Sequence, residues 1–258
     1  LIDSLTLLRY RAIINSFNLK KLPINVIELI RSYFYEIYTR KKFKKIFYVS
    51  KVDAVFINNI FIKNTKINVI CNGIDLDYYS PNFKKKGSKI RLLFYGDLNY
   101  KPNKDCVDLI VNRLNNLLLK SESMPEYEIF LIGKSDKINI LNNYRNVFAL
   151  GFVKDIRVYF NSKTIFICPM RAGAGVKNKV LESIAMEVPI VCSQISCDGI
   201  TSKIQEFVYI SNNENQFIKN IIKISNNYDL FNSNSSLIRE FLKEEHSWDK
   251  IGHKYYNA

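Results

Sequence analysis

The sequence holds no apolar stretch near the roughly 18 residues needed to cross a bilayer. Its longest candidates, such as 90–95 and 165–168, are strand-sized. The first residues carry polar and charged groups, which does not read as a secretory leader. Histidine is almost missing. His246 and His253 have no metal-ligand partner set around them, so no metal centre is expected. The five cysteines, Cys71, Cys106, Cys168, Cys192 and Cys197, are odd in number and form no CxxC pair. That argues against a disulfide framework and for reduced, mostly buried thiols in a cytoplasmic protein. A GxGxxG fingerprint is lacking too, which removes the main support for a nicotinamide dinucleotide.

Acidic residues are outnumbered, 24 against 38 basic, for a net charge of +14. Nucleic acid, an anionic membrane surface or a phosphorylated small substrate would each suit that balance, and so would lysine used for solubility. The lysine runs at 41–45 and 84–86 do not interleave with aromatics in a nucleic-acid pattern, so no nucleic acid is expected. The first run lies beside Tyr33, Phe34, Tyr35 and Tyr38, which suits peripheral contact with the inner face of a membrane.

Residues 5–45 have a helical, basic pattern interrupted by Pro23, with Ile27, Ile30, Phe34, Ile37 and Tyr38 at helical spacing. Strands are predicted over 46–49 and 67–71, the second ending on Asn72-Gly73, a turn signal. The polar, lysine-rich stretch 82–88 reads as a domain boundary. Beyond it strands and helices alternate: strands over 90–95, 127–132, 147–150, 165–168, 189–192 and 207–210, helices over 104–119, 155–160 and 176–187, and a helical remainder. Strands apolar on both faces, alternating with helices, predict a doubly wound parallel α/β sheet with ligands at its carboxyl ends. The expected domains are 1–85, the last part of an incomplete Rossmann-like domain, then 86–230, a Rossmann-like ligand domain, and 231–258, helices crossing back.

The most informative stretch runs from Pro169 to Glu182. A strand ends, a loop with Gly173, Ala174 and Gly175 follows, and a helix begins near Val176. Glycines let backbone approach a ligand, and a helix start favours phosphate. Lys177 and Lys179 add charge, and Glu182 lies about 10 Å farther along a helix, placed to accept ribose hydroxyls. An exposed helix with a Lys–Glu pair behind a loop glycine would look the same. Gly96, Gly133 and Gly151, each after a strand, tip the balance toward a site. Residues 96–103 form a second loop entering a helix. Asp75-Leu76-Asp77 matches a DxD metal motif but sits in an Asn/Asp turn context, and the metal reading is rejected.

Together these pieces resemble the family-4 retaining glycosyltransferases of the GT-B fold, of bacterial exopolysaccharide type. The resemblance is carried by Val49-Ser50-Lys51-Val52-Asp53, Asn72-Gly73-Ile74-Asp75, Gly96 to Asn103, Leu131-Ile132-Gly133, Gly151 to Asp155, and above all the run through Gly173-Ala174-Gly175-Val176-Lys177-Asn178-Lys179-Val180-Leu181-Glu182. It implies a nucleotide-diphosphate sugar as donor, no metal, and a glycan or lipid-linked acceptor in cell-surface polysaccharide synthesis. Glu182 would hold the donor ribose, Gly173 and Gly175 would meet diphosphate and sugar, and Gly96 would be the first glycine loop. The usual basic pair after that glycine is altered: Asp97 takes the first position, and Lys101 or Lys104 stands in for the second. The family's first motif glutamate, which touches the transferred sugar, is Ala174 here. Trp248 falls where the family's last helix crosses back to the first domain. By itself the chain is expected to bind a nucleoside diphosphate weakly and to transfer little sugar. A non-catalytic or partner-dependent subunit and a nucleotide-sugar epimerase are the competing readings.

Overall fold

The computed structural model describes residues 3–15, 22–60, 66–81, 86–232 and 235–257. The predicted boundary at 82–88 falls partly outside them, at residues 82–85.

The chain opens with helices α1 (Leu5–Asn15) and α2 (Leu22–Lys42), which pack against each other. Pro23 lies in the first turn of α2, where its missing N–H is not needed, so it begins a helix rather than breaking one. Strands β1 (Lys45–Tyr48) and β2 (Lys66–Val69) pair in parallel around helix α3 (Lys51–Ile60). Ile46, Tyr48, Ala54 and Ile57 form a small core there. Glu36, inside α2, accepts from the Leu5 N–H (2.7 Å) and the Thr6 hydroxyl (2.6 Å), so a buried carboxylate closes the start of α1.

A six-stranded, all-parallel sheet forms the larger body. Its strands are β3 (Ile90–Tyr95), β4 (Tyr127–Ile132), β5 (Val147–Gly151), β6 (Thr164–Cys168), β7 (Ile190–Cys192) and β8 (Tyr209–Ile210), in the order β5-β4-β3-β6-β7-β8. The middle strands are buried along their length, which is why the sequence reads apolar without alternation there. At the edge, β5 alternates buried and exposed positions.

The helix predicted over 104–119 starts earlier, with Pro102 in its first turn. It runs as α4 (Lys101–Leu109), a π-helical turn at Ile110–Leu114, and α5 (Asn115–Leu119). Short α6 (Ile138–Leu141) follows β4. Residues predicted helical at 155–160 form a single 3-10 turn, Ile156–Tyr159, capped by Asp155. Helix α7 (Asn178–Ala185) is shorter than the predicted 176–187, because the chain bends at Gly175 and Lys177 is extended. Short α8 (Ser202–Gln205) takes the approach to β8, which keeps only the last two residues of its predicted span. The chain then runs through α9 (Glu214–Asn226), α10 (Tyr228–Asn232), α11 (Ser235–His246) and α12 (Trp248–Tyr256).

The final helices touch the first part of the chain. The Ile74 N–H donates to the His246 carbonyl (2.7 Å), the His246 ring meets the Asn72 carbonyl (2.9 Å), and the Trp248 ring covers Gly73. Tyr255 packs on Phe47, with ring centroids 5.3 Å apart. Arg239 donates to the carbonyls of Leu76, Tyr79 and Ala185, binding the residue 72–79 turn to the end of α7.

Helix α2 turns a polar face inward and an apolar face outward. Ser32, Glu36 and Arg40 are buried, whereas Ile24, Ile27, Ile30, Phe34, Tyr35 and Tyr38 are exposed.

Candidate functional site

The strand order reverses between β3 and β6, the neighbouring parallel strands from which the chain winds outward both ways. In an open parallel sheet the carboxyl ends of those two strands splay apart and leave a crevice. Gly96 follows β3 and Pro169 follows β6, so the two loops singled out from the sequence form its two lips.

On the β3 side, Gly96 lies at φ +144° against Asn103 and Lys179. Gly133, which follows β4 at φ +141°, is packed so that an added Cβ would strike the Gly96 carbonyl. Only glycine fits both that backbone and that space. Lys101 and Lys104 are exposed on the first turns of α4. Asn103, between them, is the residue turned inward: it is buried, donates to the Asp97 carbonyl (2.8 Å) and accepts from Lys179 Nζ (2.6 Å).

On the β6 side, α7 begins behind Lys177 with no side-chain cap on its first N–H groups. Lys179 and Glu182 share the face toward β3. Lys179 Nζ lies 4.6 Å from the centre of the Phe94 ring and reaches the Gly96 loop, so one cation spans the crevice. The Tyr95 hydroxyl donates to Glu182 Oε2 (2.8 Å) and is 3.0 Å from the Lys179 carbonyl. Tyr79 also acts on the Glu182 carboxylate from the 72–79 turn. Burial raises the pKa of Glu182, and the two tyrosine hydroxyls oppose that rise. Burial, then the Glu182 charge, pushes the Tyr95 phenol well up.

Lys177 does something else. Its side chain is buried under the loop, and its ammonium donates to the carbonyls of Ala174 (2.9 Å) and Gly175 (2.8 Å). Burial lowers its pKa, and Asp198 and Asp53 pull it back up. The same loop is tied to the first part of the chain. Asp53 Oδ2 accepts from the Gly175 N–H (3.0 Å) while Oδ1 accepts from the Ser4 N–H (2.8 Å), and Arg11 donates to the Gly173 carbonyl (2.8 Å) and pairs with Asp198. Val176 is buried against Gly199. Ala174 is half-buried and offers no polar side-chain atom.

Tyr95, Tyr79 and Asn103 were not legible as site residues, because they arrive from a strand end, a turn and a helix face with no motif of their own. The Asp75 carboxylate accepts from the N–H groups of Asp77 (3.1 Å) and Tyr78 (2.8 Å), the turn role expected of the DxD match. Among the described residues no His, Cys, Asp and Glu cluster could hold a metal ion. The five cysteines are free thiols, four of them buried.

A parallel sheet in this order, with loop glycines and a helix start at its switch point, defines a doubly wound, Rossmann-like α/β class. The chain belongs to the glycosyl transferases group 1 family, whose model matches residues 89–227. An uncharacterized 44.6 kDa protein of the Klebsiella pneumoniae cps region is 25% identical, over 85% of this chain and 59% of that protein. Among solved structures, TarM superposes with a TM-score of 0.67 at 19% identity, over 88% of this chain and 45% of TarM. A glycosyltransferase from Rickettsia africae gives 0.64 at 16% identity, over 83% and 62%. Anabaena HepE, solved in complex with UDP-glucose, gives 0.62 at 13%, over 83% and 63%. These are GT-B glycosyltransferases, and at such identities the likeness is one of fold. The chain spans about three fifths of its curated relative and between 45% and 63% of these structures.

Proposed function

We propose that the chain binds a nucleotide-diphosphate sugar and moves its sugar, with retained configuration, to a glycan or lipid-linked acceptor during cell-surface polysaccharide synthesis. The observation that carries this reading is Glu182, held in the crevice by the Tyr95 hydroxyl one turn beyond the open start of α7. A carboxylate there accepts ribose hydroxyls, while the helix start and Lys179 face a diphosphate. A hollow of about 360 Å³ beside it, lined by Gly133, Lys134, Phe152 and Val153, suits the base. Phe152 is 82% exposed, a flat apolar surface for a base to stack on. As the sugar–phosphate bond breaks, the diphosphate gains charge, and the α7 N–H groups and the Lys179 ammonium stabilise it in place of a metal.

On the far side of the loop, a second hollow of about 650 Å³ is lined by Arg171, Gln194, Asn212, Asn213 and Asn215. Amide side chains both donate to and accept from hydroxyls, which suits an acceptor sugar. The exposed aromatic face of α2, with Lys41, Lys42 and Lys44 at its end, supports peripheral contact with an anionic bilayer. Among the described residues no helix is long and apolar enough to cross a membrane.

Calorimetric titration of the chain with UDP-, GDP- and ADP-sugars tests the donor site. One nucleotide series is expected to bind, and Glu182→Gln and Lys179→Ala are each expected to weaken it. Unchanged affinity in both variants would remove the site assignment.

A further inference from the structure

A donor laid out as above, with base by Gly133 and ribose at Glu182, carries its diphosphate to the start of α7. The transferred sugar then lies beyond, over residues 173–175. A sugar is recognised through its hydroxyls, and a carboxylate is the strongest side-chain acceptor for them. The loop supplies none, because its side chain there is the methyl group of Ala174.

The acceptor comes from the other end of the chain. Asp3 precedes α1, and its carboxylate lies against Gly175 so closely that a Cβ added to that glycine would fall on it. Gly175 has φ +67° and no side chain, so the loop backbone leaves room for the carboxylate. Asp3 is exposed, and among the described residues neither of its oxygens takes part in a hydrogen bond or ion pair. It also acts electrostatically on Tyr100, on the opposite lip of the crevice. The neighbouring carboxylates are engaged. Asp53 holds the Gly175 and Ser4 N–H groups, and Asp198 holds Arg11. The Lys177 ammonium, bonded beneath the loop to the Ala174 and Gly175 carbonyls, offsets the concentration of negative charge.

We infer that Asp3 forms the sugar subsite of the donor crevice, its carboxylate accepting hydrogen bonds from hydroxyls of the transferred sugar beside Gly175. The assignment rests on the nucleotide-sugar reading and adds to it the residue that separates a sugar nucleotide from the bare nucleotide.

The test compares wild-type chain with Asp3→Asn and Asp3→Glu by calorimetry. The ligands are UDP and GDP, then UDP-glucose, UDP-N-acetylglucosamine and GDP-mannose. Asp3→Asn is expected to leave the bare nucleotide within about twofold while weakening the sugar nucleotide about tenfold, the order of a charge-assisted hydrogen bond. Asp3→Glu should recover part of that loss. The bare-nucleotide affinity reports an intact cradle within the same experiment. Equal affinity of wild type and Asp3→Asn for every sugar nucleotide overturns the assignment. So does an equal loss for nucleotide and sugar nucleotide, which would mark Asp3 as structural. If wild type binds the nucleotide and its sugar conjugate equally, there is no sugar subsite. If it binds neither, the nucleotide-sugar reading itself fails.

Discussion

Lys177 and Lys179 stand two residues apart at the start of one helix and face opposite ways. Lys179 reaches across the crevice to Asn103, whereas Lys177 folds back and braces the loop from below. Their substitutions should therefore differ in kind. Lys179→Ala is expected to weaken nucleotide binding with little change in melting temperature. Lys177→Ala is expected to lower the melting temperature, because it leaves the Ala174 and Gly175 carbonyls without their donor beneath the loop. Thermal melts and titrations of both variants separate the two roles. Glu182→Gln removes a charge-assisted acceptor while keeping shape, so donor affinity should drop about tenfold. It should fall on a protein that melts no earlier, since Glu182 carries a desolvation penalty that raises its pKa.

The sequence made Glu182 legible through its spacing from Gly175, but it presented the two lysines as equals. What separates them is the point where α7 begins. An extended Lys177, held by its own bonds to the loop, delays the helix to Asn178 and reverses its side chain.

At the level of elements, the six strands were legible because buried parallel strands read as uninterrupted apolar runs. Their order was not, since it depends on which side each crossover returns. The π turn at Ile110–Leu114 was hidden as well. Inserting one residue into a helical turn leaves Ile110, Val111 and Leu114 buried, and an apolar pattern tolerates that. The packing of β3 against β4 is checked by Gly133→Ala. With a positive φ and the Gly96 carbonyl in the way, it should cost about 2 kcal/mol or more in urea unfolding. Helix α2 has the apolar spacing read from the sequence, yet Ile27, Ile30, Phe34 and Tyr38 lie outward, because the opposite face is taken by Glu36 closing α1. Phe34→Asp with Tyr38→Asp should leave melting unchanged and abolish cosedimentation with vesicles containing anionic phospholipid. Retained cosedimentation would separate α2 from any membrane role.

For the whole molecule, the junction between the first part of the chain and its C-terminal helices contains a titratable group. His246 is fully buried, with Nδ1–H donating to the Asn72 carbonyl and Nε2 lacking a partner. Burial lowers its pKa, opposed by that hydrogen bond and by Glu245. A folded-state pKa below the unfolded value gives stability that is present above the unfolded value, about 6.5, and is lost as pH falls through the folded one. Urea midpoints should therefore decline from pH 7 toward pH 5, and His246→Gln should flatten that part of the decline.

Asp53 and Arg11 give the loop over α7 a second owner. Both belong to the first part of the chain, yet they grip the backbone of Gly175 and Gly173. Any tilt of α1 or α3 against the six-stranded sheet must drag that backbone with it. By reciprocity, a molecule seated on the loop resists the tilt with the same free energy. Whatever engages α1 and α3 from outside would thus change how long that molecule stays, without ever touching it.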